Sequence, residues 1–225
     1  MTSAARYDPF SLEFMAPSLK FLFGLSIAVF AAQVLGNFFP ALDFDLVSRF
    51  GLIPALVARR SSPQLWRLVT YLFLHGGFLH LAFNLIGLQM FGAPVVVQWG
   101  DREFLKFFFL CGIGAGAAQL ALSPGSMVPV IGLSGAVYGL LVAVAMLYPN
   151  AVVYVYFLRP MKMAHMAILF GVIEFFLGAR NSTPTVARFA HLGGMATGYV
   201  YMSWGVWKLR LRALVAGPRA GGNGA

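Results

Sequence analysis

Of the polar side chains inside otherwise apolar stretches, five could do chemistry: His80, Asn84, Ser134, Glu174 and His191. Polar groups at membrane depth are costly, so each needs a reason. Ser134 lies in "VIGLSGAVYGLL", preceded by Gly132-Leu133 and followed by Gly135. At a helix start, its hydroxyl and its backbone N–H can point into a cavity, where the helix dipole favours negative charge. Gly135 and Gly139 also form a small-xxx-small pattern, so Ser134 read alone is a packing residue before it is a nucleophile. The stretch is not the G-x-S-x-G elbow of soluble hydrolases, because Ala136 replaces the second glycine.

His80 and Asn84 are four residues apart, which puts them on one helical face about 6 Å apart along the axis. Both can donate hydrogen bonds to one anionic oxygen, or they can join helices. His191 opens "AHLGGMATGY"; Gly194 and Gly198 share its face and let that helix press close to a neighbour. Tyr138, one turn after Ser134, flanks the imidazole if the two helices are adjacent. Glu174 reads as a buried, protonated, hydrogen-bonded carboxyl, with a proton relay as the alternative. No second carboxylate accompanies it within a span, so an aspartyl mechanism has nothing to use. His75 and His80 are five apart and no H-E-x-x-H occurs, so neither metal nor cofactor is expected.

These residues must be positioned by a membrane protein. Of 225 residues, 60% are hydrophobic and 10% charged, against about 25% charged in soluble domains. Mean hydropathy is +0.79. The net charge of +9 is not a nucleic-acid signature, because the basic residues lie in short patches beside apolar segments. Cys111 is alone, which excludes an intramolecular disulfide.

Six apolar segments are expected, at about 21–39, 78–97, 104–122, 134–147, 163–178 and 189–207. The fourth and fifth are short and suit helices ending at a cavity or in protein loops. Residues 1–17 read as a cytoplasmic tail, 18–208 as the six-helix domain and 209–225 as a basic, disordered cytoplasmic tail. With the N-terminus inside, ten Lys and Arg lie on inner segments and six on outer ones, which favours that orientation. The first apolar segment follows about twenty residues containing Asp8 and Glu13, so a cleavable leader is not expected. The connection over residues 40–77 is too apolar for a solvent loop and too broken to span; it is expected in the membrane interface, with Trp66 and Arg67 at headgroup depth.

Taken jointly, the motifs resemble the rhomboid intramembrane serine proteases. Trp66-Arg67, His80-x-x-x-Asn84, Gly132-x-Ser134-Gly135 with Tyr138, and His191-x-Gly193-Gly194-x-x-x-Gly198 occur in that family's order. The connection "YPNAVVYVYFLRPMKM" is also similar. One departure is Val96, where the family often carries a glutamate thought to support packing.

The resemblance implies an all-α, polytopic six-helix bundle with a membrane-associated first loop. It implies Ser134 as nucleophile, His191 as general base, and His80, Asn84 and the Ser134 N–H as oxyanion donors. No acid is expected to orient His191, so the expectation is a dyad steadied by Tyr138 and the glycine face. The implied substrates are transmembrane proteins, cut in or beside a span where the helix unwinds, in a bacterial plasma membrane. The alternatives are an inactive rhomboid-like binding or quality-control module and a small transporter. The transporter lacks paired intramembrane charges and repeat symmetry.

Overall fold

The computed structural model describes residues 15–39, 45–153, 160–179 and 188–215. Helix α1 runs Pro17–Phe38, α5 Phe78–Trp99, α6 Asp101–Leu122, α7 Ser134–Leu147, α8 Met163–Ala179 and α9 Arg188–Val215. Three short helices, α2 (Leu46–Phe50), α3 (Pro54–Val57) and α4 (Arg67–Thr70), lie in the connection between α1 and α5. All six expected long segments are helical. Helix α9 continues past residue 208 to Val215, so the start of the expected tail is helical. Most of the N-terminal tail, part of the α7–α8 connection and residues 216–225 lie outside the described residues.

Helices α1, α5 and α6 are long and apolar enough to cross a membrane. The chain is an all-α, polytopic integral membrane protein. Phe21, Phe38, Phe83, Phe175 and Phe176 are exposed on the long helices, as suits a surface facing hydrocarbon, which offers no partner to a polar group. Helix α7 differs. It is enclosed by α5, α6, α8 and α9, and residues 139–145 are all buried. At 14 residues it is about 21 Å long, short of the roughly 30 Å hydrocarbon core, so α7 by itself does not cross it.

Close approach of α7 and α9 rests on glycine. A Cβ built at Gly194 would collide with the Gly135 carbonyl oxygen, and one at Gly198 would stand 2.8 Å from that of Gly139. Helix α8 turns the buried or half-buried residues Met163, Met166, Ala167, Phe170 and Glu174 inward, a stripe at helical spacing.

The rest of the frame is joined by polar contacts. Asp101 Oδ1, at the start of α6, accepts the Ser18 N–H at 2.8 Å and so caps α1 from a different helix. Gly100, with φ +80°, alone separates α5 from α6. Val96 is buried in the apolar core, and its carbonyl accepts the Gly100 N–H at 2.7 Å. Strands β1 (Val152–Val153) and β2 (Met161–Lys162) form a small antiparallel hairpin before α8, pairing Val152 with Lys162.

The α1–α5 connection departs from expectation in one respect. Trp66 is half exposed, but the Arg67 side chain is buried inside the connection rather than turned outward. Its guanidinium donates to Gln64 Oε1 at 2.6 Å, Gly51 O at 2.6 Å and Ser48 O at 2.8 Å. The planar fork suits three acceptors at once, so Arg67 staples the connection from within. Burial pulls its pKa below the usual arginine value. A bridge between Leu52 and Val130 then ties the connection to the strand-like approach to α7.

Candidate active site

The approach to Ser134 is fixed before the helix begins. The Gly132 N–H donates to Tyr71 O at 2.9 Å, and Tyr71 is itself anchored by its hydroxyl on Gly112 O at 2.7 Å. Gly132 has φ +112°, a conformation that favours glycine. The chain then enters α7 with Ser134 as its first residue, and the first bond to the helix backbone is from Val137 N–H to Leu133 O. The Ser134 N–H is thus among the donors that a helix start leaves without an intrahelical partner.

Ser134 Oγ and His191 Nε2 are 2.7 Å apart, although 57 residues separate them in sequence. The His191 ring stacks on Tyr138 with centroids 4.5 Å apart and planes 19° from parallel. The glycine contacts between α7 and α9 allow both arrangements. Sequence spacing placed Ser134, Tyr138, His191, Gly135, Gly194 and Gly198 on the two helices, and the fold brings them together.

His80 and Asn84 face the same place from α5. A Cβ at Gly132 would lie 2.7 Å from His80 Nε2 and 3.7 Å from Asn84 Nδ2. The hydrogen of Gly132 therefore leaves a gap bordered by both side chains. The Gly76 N–H donates to His80 Nδ1 at 3.2 Å, which requires a lone pair there and puts the ring proton on Nε2. Asn84 Nδ2 gives one hydrogen to His80 O at 2.9 Å and keeps a second. Both groups can present donors beside the Ser134 hydroxyl.

Two features were not read from the sequence. Gln33 of α1 accepts the His75 N–H at 3.0 Å and donates to His75 O at 3.1 Å, so its amide grips that backbone like a strand neighbour. His75 is buried edge-on to His80, with centroids 5.2 Å apart. Burial, and then the neighbouring His80, push the His75 pKa down to about 4; its hydrogen bond to Phe73 O opposes this.

The second feature corrects an expectation. An acid does stand beside His191: Glu174 Oε1 lies 3.0 Å from Nδ1. The same oxygen accepts the Tyr138 hydroxyl at 2.6 Å. The oxygen sits off the axis of the Nδ1–H bond, so this is a close approach of carboxyl to ring rather than a well-aligned hydrogen bond. A lone carboxylate in an apolar helix was the visible signal; its pairing across α8 and α9 was not.

A family model described as "Rhomboid domain" matches residues 62–208. The chain belongs to the rhomboid family. Among its relatives, the rhomboid protease GluP of Bacillus subtilis is 33% identical over 134 residues, covering 60% of this chain and 25% of that protein. Rhomboid-related protein 3 of Homo sapiens is 32% identical over 144 residues, covering 60% and 35%. Rhomboid-like protease 3 of Toxoplasma gondii is 30% identical over 140 residues, covering 61% and 51%. The chain thus spans a quarter to about half the length of these rhomboid relatives.

Proposed function

We propose that the protein is an intramembrane serine endopeptidase that hydrolyses peptide bonds in or next to transmembrane segments of other membrane proteins. The observation that carries this reading is the 2.7 Å approach of Ser134 Oγ to His191 Nε2, beside the donors of His80 and Asn84.

A serine hydroxyl is a weak nucleophile until a base takes its proton during attack. As Oγ bonds to the carbonyl carbon, its proton passes to His191 Nε2 and the carbonyl π pair moves to oxygen. The oxyanion falls to His80 Nε2–H, Asn84 Nδ2–H and the Ser134 N–H. The tetrahedral centre then collapses, the C–N bond breaks, and Nε2 returns its proton to the leaving nitrogen. Water, activated by the same imidazole, hydrolyses the acyl-enzyme. Because α7 is too short to cross the hydrocarbon and is enclosed by other helices, its first residue can meet substrate inside the helix bundle. A helical substrate hides its carbonyls in hydrogen bonds, so residues that loosen the helix near the cut favour cleavage.

The charge distribution supports cytoplasmic N- and C-termini. The test is cleavage of a single-span substrate by purified protein in detergent, with fluorophosphonate labelling of Ser134. Ser134→Ala and His191→Ala should abolish both with the fold intact, and Asn84→Ala should slow cleavage measurably. Cleavage retained in Ser134→Ala sinks the mechanism. Failure of the wild type to label favours an inactive rhomboid-like binding module.

A further inference from the structure

We infer that Glu174 is a positioning residue for His191, holding its Nδ1–H side and balancing the imidazolium charge, so that the site works as Ser134–His191–Glu174. This rests on the serine-protease reading above and adds a third member to it.

The case begins on α8. Glu174 is buried while its neighbours Ile173, Phe175 and Phe176 are exposed, so the carboxyl is on the inward face. Gly171, one turn earlier, packs against Met195 of α9; a Cβ there would stand 3.3 Å from the methionine methyl. That contact sets α8 beside the α9 turn carrying His191. Glu174 Oε1 then reaches both His191 Nδ1, at 3.0 Å, and the Tyr138 hydroxyl, at 2.6 Å.

One oxygen thus touches the ring and the aromatic platform on which it stacks. For Nε2 to accept the Ser134 proton, a neutral His191 must carry its own proton on Nδ1. Nδ1 has no hydrogen-bond partner among the described residues, and the Glu174 carboxylate 3.0 Å away is the group whose charge can favour a proton there. Once the Ser134 proton reaches Nε2, the ring is cationic in a poorly hydrated place, and a carboxylate 3.0 Å away offsets that charge. The Nδ1 proton stays on nitrogen throughout.

The experiment compares wild type, Glu174→Gln, Glu174→Asp and Glu174→Ala in detergent. Readouts are kcat and KM on a single-span substrate, the fluorophosphonate labelling rate at Ser134, and the melting temperature. Glutamine keeps the shape and an acceptor for Tyr138 but removes the charge. It should lower kcat and the labelling rate about 10–100-fold, with KM and melting temperature near wild type. Aspartate, one methylene shorter, should regain part of that loss, and alanine should be slowest.

Glutamine at the wild-type rate overturns the inference, as does aspartate no faster than alanine. Rate loss accompanied by a matching fall in melting temperature also overturns it, as a merely structural role. A wild type that does not label at all refutes the protease reading and takes this inference with it; labelling equal in wild type and Glu174→Gln refutes only the inference.

Discussion

Gly132→Ala tests the site's geometry without touching a reacting group. An alanine there suffers twice. Its φ of +112° is strained for a residue with a Cβ, at about 1–3 kcal/mol. The new methyl also sits 2.7 Å from His80 Nε2 and 2.9 Å from Cε1. Restoring an ordinary separation of about 3.5 Å moves the ring by roughly 0.8 Å. The ring cannot move freely, because Nδ1 is held by the Gly76 N–H. The displaced Nε2–H then misses the oxyanion, and loss of one such donor costs roughly 10²–10³ in rate.

The expected result is a kcat lower by about 10²-fold. The assay is cleavage of a single-span substrate together with thermal unfolding in detergent. A double-mutant cycle with His80→Ala separates the causes: if the methyl acts through His80, the double variant is scarcely slower than His80→Ala. Wild-type kcat in Gly132→Ala, or full additivity in the cycle, refutes the assignment of His80 as an oxyanion donor.

Two further predictions concern the frame. Arg67→Ala leaves the buried Gly51 carbonyl without its donor and frees that of the exposed Ser48 to water, and should lower unfolding stability by about 1–3 kcal/mol, read by thermal or denaturant unfolding. His75, with its pKa pushed down from 6.5 to about 4, binds fewer protons folded than unfolded between those values. Stability should therefore be flat above about pH 6.5 and fall as pH drops towards 4, and melting temperature against pH should flatten in His75→Gln.

Much of this was legible from residue types. Ser134, His191, His80 and Asn84 stood out because a hydroxyl, imidazoles and an amide are expensive in an apolar run, and the glycines beside His191 announced a close helix contact. The helix boundaries followed because apolar runs of this length have few other solutions. Three things were not legible. Arg67 looked like a headgroup anchor because arginine beside tryptophan is common at an interface; only the fold reveals three acceptors waiting inside the connection. Gln33 lies 42 residues from His75, and no periodicity links an amide in α1 to that backbone. Glu174 was visible as a buried acid, yet its partner depends on the rotation of α8 against α9, which a uniformly apolar helix does not encode.

The seam between α7 and α9 bears on how the protein can vary. It is made by atoms that are absent: a Cβ on Gly194 or Gly198 would meet the backbone of Gly135 or Gly139, which has no rotamer to change. Every side chain added there parts the helices and carries the Ser134 hydroxyl away from the imidazole. A survey of all substitutions for activity would therefore score these glycines as unforgiving as the nucleophile itself. Intolerance alone cannot separate chemistry from closeness in this chain. A paired enlargement and trimming, which rescues most crowded cores, has no purchase here, so this seam is expected to drift least of all its helix contacts.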